Sequence, residues 1–175
     1  MKKTMLYLAA LACCLFSLTA CGGDDEPNVM ATGSYTITFG SDFFKAADFV
    51  IIYYKSANGE TKREIVSSGT TWSKSISTKV PAELAFKIEI EPREELAMDQ
   101  EYYNISLIGA ISGAISTGGT GNFANSKTFI PVSNDESVIG IEKSKVMNTL
   151  RSHSVNTYGY RLDKDGNSTQ YTPTF

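Results

Sequence analysis

Apolar and polar residues alternate with period two over much of the chain. From Ser34, Tyr35, Ile37 and Phe39 stand between Ser34, Thr36 and Thr38, the pattern of a strand with one buried face. Phe49-Val50-Ile51-Ile52-Tyr53-Tyr54 is apolar on both faces and rich in β-branched and aromatic residues, which predicts a central strand. Asn58-Gly59 follows, a pair suited to a type I′ turn, so the chain should double back through Thr61–Val66. Trp72 and Ile76 share one face of the next segment, with Ser73, Ser75 and Ser77 on the other. After Pro81, Leu84, Phe86, Ile88 and Ile90 line one side of the cleanest strand in the chain, and Ala85, Lys87, Glu89 and Glu91 the other.

Tyr103, Ile105 and Leu107 predict a further strand. Gly109 to Gly121 carries side chains too small to supply much core, and Lys127–Val132 reads as a short edge segment ended at Pro131. One helix is expected: Ser133-Asn134-Asp135-Glu136 has the spacing of a capping box, and Val138, Val146 and Leu150 follow at helical intervals, weakened by Gly140. Tyr158, Tyr160 and Leu162 then lead into the turn Asp163-Lys164-Asp165-Gly166-Asn167 and back through Thr169 and Tyr171 to Phe175. Seven to nine short strands with regular turn signals and a single helix predict an all-β fold, an antiparallel β-sandwich over residues 34–175.

The first twenty residues follow a different logic. Met1-Lys2-Lys3 is a positive start, and Met5 to Leu18 is almost continuously apolar yet shorter than the roughly 20 residues a bilayer span needs, so the segment reads as a secretory leader. It ends in Leu18-Thr19-Ala20-Cys21, which resembles the lipobox of bacterial lipoproteins. That resemblance implies cleavage after residue 20, a fatty-acylated Cys21 at the new N-terminus, and attachment to a membrane. Residues 21–33 form a tether, and Asp24-Asp25-Glu26 resembles the acidic surface-export signal of Bacteroides-type lipoproteins. The likeness implies the outer membrane with the domain facing outward; a solvated linker on the periplasmic side is the alternative. Within the domain, Tyr53-Tyr54, the Asn58-Gly59 turn, Trp72 and the Pro81–Glu91 strand resemble small lipoproteins of that type with an Ig- or fibronectin-like sandwich, a group mostly without assigned function.

Composition narrows the chemistry. The net charge of −3 becomes −5 once Lys2 and Lys3 leave with the leader, which argues against nucleic acid as a partner. Cys13 and Cys14 leave too, so the mature chain keeps Cys21 alone and can form no internal disulfide. Gly121-Asn122-Phe123-Ala124-Asn125-Ser126-Lys127-Thr128 has Ser126 where a phosphate-binding loop needs its second glycine. Asp163, Asp165 and Asn167 alternate like calcium ligands, but Gly166 stands fourth and Thr174 twelfth, where an EF-hand requires glycine sixth and glutamate twelfth; a plain turn is the simpler reading. Glu89 and Glu91 share one strand face and read as a solvated row rather than an acid/base pair. His153 is the sole histidine and no G-x-S-x-G elbow accompanies it, while Ser73-Lys74 stays open as a dyad. No catalytic set, cofactor or metal is therefore expected.

The aromatic residues remain. Neighbouring tyrosines on a strand face opposite ways, and the flanking alternation turns Tyr103 inward and Tyr102 outward. Tyr102 is accordingly the candidate ligand-binding residue, able to stack on a sugar or anchor a protein, and Trp72 is expected in the core. The sequence thus points to a non-catalytic, lipid-anchored envelope protein with a surface for a glycan or an envelope protein. A structural accessory subunit of an envelope assembly, or a glycan or peptide hydrolase, are its rivals.

Overall fold

The structure, a computed structural model, describes residues 29–96, 99–115, 121–133, 139–165 and 167–175. Residues 1–28, with the leader, Cys21 and Asp24-Asp25-Glu26, lie outside the described residues; residues 30–33, expected in the tether, belong to the first strand. The strands are β1 (Met30–Phe39), β2 (Ala47–Lys55), β3 (Thr61–Val66), β4 (Thr71–Lys79), β5 (Ala82–Pro92), β6 (Tyr102–Tyr103), β7 (Leu107–Ile115), β8 (Gly121–Ile130), β9 (Ile141–Glu142), β10 (Val155–Leu162) and β11 (Ser168–Tyr171). The helices are α1 (Phe43–Ala46) and α2 (Lys143–Ser152).

Two antiparallel sheets share the core. One has the order β4-β1-β7-β8 and the other β11-β10-β5-β2-β3, while β6 and β9 make a small third ladder. Tyr35, Ile37, Leu107 and Ile111 from the first sheet and Val50, Ile52, Leu84, Phe86 and Ile88 from the second are fully buried in one cluster. Aromatic rings join the sheets: Tyr35 lies 5.9 Å from Tyr54 and meets Phe86 edge-on at 6.4 Å, and Phe86 meets Phe129 at 6.3 Å. The Tyr35 hydroxyl donates to the Lys55 carbonyl at 2.7 Å, which satisfies the one polar atom of a buried ring. In the immunoglobulin arrangement the first two strands pair in one sheet. Here β1 and β2 lie in opposite sheets and β1 pairs with β4 and β7, so this all-β sandwich has its own strand order.

The sandwich has two poles. The start of β1, the β4–β5 turn, the β2–β3 turn and the β10–β11 turn meet at one, as the pairs Met30–Lys79, Leu162–Ala82 and Lys55–Thr61 require. The end of β1, α1, β6, β9 and α2 gather at the other. There Phe39, Phe43 and Phe44 close the core with ring centroids 5.0–5.3 Å apart.

Several elements differ from the sequence expectation. The first strand begins at Met30, because Met30–Gly33 pair in register with Ile76–Lys79. The Asn58-Gly59 turn is not type I′: among the described residues no residue but glycine has positive φ, so Asn58 does not. Gly59 alone is left-handed, at φ 79°, and its amide bonds Ser56 while the Ser56 amide bonds Glu60, a turn of one residue more. Tyr103, Ile105 and Leu107 are all buried but do not share a strand, since β6 ends at Tyr103 and β7 starts at Leu107.

Gly109–Ile115 of the glycine-rich stretch belong to β7, inside the first sheet, and residues 116–120 lie outside the described residues. A Cβ on Gly109 would sit 2.4 Å from Phe86 Cζ, and one on Gly113 would sit 2.5 Å from Phe123 Cε1. The missing side chains leave room for rings supplied by other strands. The edge segment expected at Lys127–Val132 is the end of the ten-residue β8. The helix begins at Lys143, ten residues past the proposed cap at Ser133; Asn134 to Val138, including Glu136 of that capping box, lie outside the described residues. Gly140, at φ 122°, breaks the chain path and β9 follows it, so no helix crosses this point. α1, a single turn after β1, was not legible in the sequence.

Candidate functional site

Tyr102 sits at the pole opposite the start of β1. Its strand β6 is held against β9 by the pairs Tyr102–Glu142 and Tyr103–Ile141. Tyr103 is fully buried and its hydroxyl accepts the Gln100 amide, whereas Tyr102 is 38% exposed, so the alternation read from sequence holds. Gly140 makes this local pairing possible. A Cβ there would lie 3.0 Å from the Tyr103 amide nitrogen and 3.2 Å from Tyr102 Cβ.

Two further groups frame this pole. Asp42, just ahead of α1, accepts the Asn104 amide at 3.0 Å and pairs with Lys45 at 2.8 Å. Partial burial alone would raise its pKa; Lys45 and the Asn104 amide outweigh that and hold the carboxyl below the usual range. Glu142 takes Ser144 Oγ at 2.6 Å and Lys145 at 3.1 Å beside α2. On this frame large apolar side chains stand open to water: Ile139 is 82% exposed and precedes Gly140, and Val132 follows the end of β8. Sequence reasoning passed over both. The available signal was their position, apolar residues beside Gly140 and Pro131 that belong to no periodic run.

A rigid frame carrying an exposed ring and exposed aliphatic groups can bind by contact and desolvation. Among the described residues its carboxylates Asp42 and Glu142 are each engaged by a neighbouring lysine. The other sequence candidates are engaged elsewhere. His153 ends α2, with its Nδ1 2.9 Å from the Thr149 carbonyl and its own carbonyl accepting Asn156 Nδ2 at 2.6 Å. Ser73 and Lys74 point to opposite faces of β4; Ser73 is exposed and Lys74 turns in to Glu64 at 2.7 Å, so they form no dyad. Glu89 pairs with Lys87 at 2.8 Å and accepts the Tyr53 hydroxyl at 3.1 Å, on the outer face of the second sheet. The Asp163 carboxylate is filled by its own turn: Oδ1 accepts the amides of Asp165 and Asn167 and Oδ2 the Asn167 side chain, all within 2.9 Å. Gly166 lies outside the described residues. Gly121–Thr128, the near match to a phosphate loop, is extended strand. Among the described residues no group of three His, Cys, Asp or Glu side chains could hold a metal.

A cleft of about 540 Å³ opens at the other pole, where Met30, Asn58, Thr78, Lys79, Pro81 and Glu83 line it. Thr78 Oγ1 donates to the Ala57 carbonyl at 2.7 Å and so ties β4 to the β2–β3 turn at its rim. This concavity is one sandwich length away from Tyr102. Trp72, expected in the core, is 8% exposed and packs on Tyr54 at 5.5 Å. Among the described residues no helix is long and apolar enough to cross a membrane. No family model, no curated protein and no solved structure matches the chain.

Proposed function

We propose that this protein is a lipid-anchored, non-catalytic module of the bacterial cell envelope that presents the Tyr102 pole to a glycan or an envelope protein. The observation that carries this reading is the opposition of the two poles. β1 starts at Met30, nine residues beyond Cys21, and Tyr102 lies at the far end of the strands. A fatty-acylated Cys21 would hold the Met30 pole within about 30 Å of the bilayer, the reach of an extended tether. It would turn Tyr102, Ile139 and Val132 outward. The leader, the lipobox and Asp24-Asp25-Glu26 support an outer-membrane, outward-facing location. The cleft lined by Asn58 and Glu83 would face the membrane, where a large polymer has least access.

The test joins anchoring to binding. Cys21→Ala should abolish fatty-acid labelling and move the protein from the membrane to the soluble fraction, because each buried CH₂ contributes about 0.8 kcal/mol to anchoring. In a glycan array and a pull-down with the wild-type chain, Tyr102→Ala and Ile139→Ser should each weaken capture while leaving the melting temperature unchanged. A Cys21→Ala protein that still takes label would overturn the anchor. Capture untouched by both surface variants would overturn the Tyr102 pole.

A further inference from the structure

The two outer faces of the sandwich differ in charge. On the first sheet, Ser34 and Thr36 of β1 stand opposite Ser75 and Ser73 of β4, and this side of the ladder carries hydroxyl and methyl groups. On the second sheet, register collects cations around one ring. Tyr53 of β2 stands directly between Arg63 of β3 and Lys87 of β5, and Lys55 follows two residues along β2. Strand spacing sets Arg63 and Lys87 roughly 10 Å apart at the backbone, and strand rise sets Lys55 roughly 7 Å from Tyr53. Arg63 is exposed, while Lys55 and Tyr53 are half-buried.

The group is ordered by its own contacts. The Tyr53 hydroxyl donates to Glu89 at 3.1 Å, and Lys87 Nζ lies 4.2 Å from the centre of the Tyr53 ring and 2.8 Å from the same carboxylate. Two contacts therefore hold this ring in one orientation. Phe175, 37% exposed, lies nearby, with its ring centre 6.0 Å from Lys87 Nζ and 5.6 Å from Lys55 Nζ. Glu89 is the one carboxylate side chain in the group. Lys87 first, then Tyr53 and Arg63, lower its pKa, so it stays charged and is already engaged. Along β5, Glu83 is taken by Arg161 at 3.0 Å, and Glu91 stands opposite Phe49, roughly 13 Å from Tyr53 along β2. Lys55, Arg63 and Lys87 around Glu89 leave two positive charges in excess, on a chain whose net charge is −3. Arg63 and Lys55 form no ion pair among the described residues.

We propose that this outer face of the second sheet binds an acidic glycan, with Arg63 and Lys55 taking its carboxylate or sulfate groups and Tyr53 and Phe175 receiving the apolar faces of its sugar rings. Like charges held this close repel, and an anion laid between them removes the repulsion. Arg63 offers a fork of donors that matches a planar carboxylate. Rings set among the cations supply a contact that a bare inorganic anion would not use. An open sheet face admits an extended chain, whereas a small molecule is held in a concavity. This site is separate from the Tyr102 pole and stands whatever that pole binds.

The test is affinity electrophoresis of the detergent-solubilised full chain through gels holding polygalacturonate, chondroitin sulfate or neutral dextran. Wild type should be retarded by at least one acidic polymer and pass dextran freely, with retention that falls as salt rises. The polymer that retards more tells carboxylate from sulfate. Arg63→Glu and Lys55→Glu should each weaken retention about tenfold or more, since repulsion replaces a charge-assisted hydrogen bond. Tyr53→Leu and Phe175→Ala should each weaken it as well, the second reporting on stacking even if the first perturbs the sheet. Lys127→Glu, the same charge change on an exposed residue of the first sheet, should leave retention unchanged. The Arg63, Lys55 and Phe175 variants should keep the wild-type circular dichroism spectrum. No retention by either acidic polymer would overturn the proposal. So would equal retention by polyglutamate, which has the charge without the sugar, or tighter binding of single-stranded DNA. Lys127→Glu losing as much as Arg63→Glu would overturn it too.

Discussion

Glu64 receives three donors on two oxygens: Tyr54 Oη at 2.9 Å, Lys74 Nζ at 2.7 Å and Trp72 Nε1 at 2.9 Å. Lys74 first, then Trp72 and Tyr54, hold its carboxyl below the usual carboxylate range. A depressed folded-state pKa gives stability that is complete above the unfolded value of 4.5 and is lost as pH falls through the folded one. Glu64→Gln should therefore melt below wild type at pH 7. The gap should close as the pH is lowered below 4.5, through the depressed folded-state pKa at which wild type loses the same charge. A gap constant with pH would mean that shape, not charge, matters at this position. Trp72 contributes on the other side of the contact. Trp72→Ala removes a buried indole and should cost about 3–5 kcal/mol in denaturant titration. Native Trp72 fluorescence should be blue-shifted and poorly quenched by iodide. Sequence alternation was enough to bury Trp72 because it reports which way a ring points. It did not report Glu64, whose face of β3 carries Lys62 and Val66 as well, and whose partners Trp72 and Lys74 come from the other sheet.

At the level of elements, β7 marks the boundary of what periodicity can convey. β1, β2, β4 and β5 were legible because each carries its own large apolar residues at alternate positions. β7 carries Gly109 and Gly113 between its buried Leu107, Ile111 and Ile115, and the space above the glycines is filled by Phe86, Phe123 and Phe129 from elsewhere. A strand with glycine at every second inward position shows only half of its period in the sequence. Gly109→Ala should accordingly act as an overpacking change and lower stability by about 1–3 kcal/mol. Phe86→Leu in the same chain should return part of that loss, since it withdraws the Cζ atom that the new methyl meets. Equal, additive losses in chemical denaturation would show that the two positions do not share space. The helix, which does bury Val146 and Leu150 as expected, was given the wrong start for a related reason. A capping box reads three residues of sequence, whereas α2 starts where the β6–β9 ladder delivers the chain, with the Lys143 amide bonded to the Glu101 carbonyl. The Tyr102 pole was half legible: the direction of its ring follows from alternation, but Ile139 and Val132 join it only through tertiary placement.

The whole domain is held by apolar burial and ring contacts between two sheets, with its surface ion pairs mostly exposed. Stability should therefore not depend on a bound ion or a thiol. The purified chain is expected to melt cooperatively with a β-rich circular dichroism spectrum, at a temperature unchanged by EDTA or by reductant. A large fall with EDTA alone would return Asp163, Asp165 and Asn167 to attention as calcium ligands. The pairing order has a consequence in time. Phe86 of β5 finds its partner Tyr158 roughly seventy residues later, and Tyr35 of β1 waits about as long for Ile111. At about 5–20 residues per second, a ribosome needs several seconds to supply each missing neighbour. Throughout that interval Leu84, Phe86, Ile88 and Ile90 lie on a strand with one side unpaired. Whatever accompanies the nascent chain has to shield that strand until β10 arrives, which makes the pace of synthesis and the shielding of β5 part of how this sandwich is made.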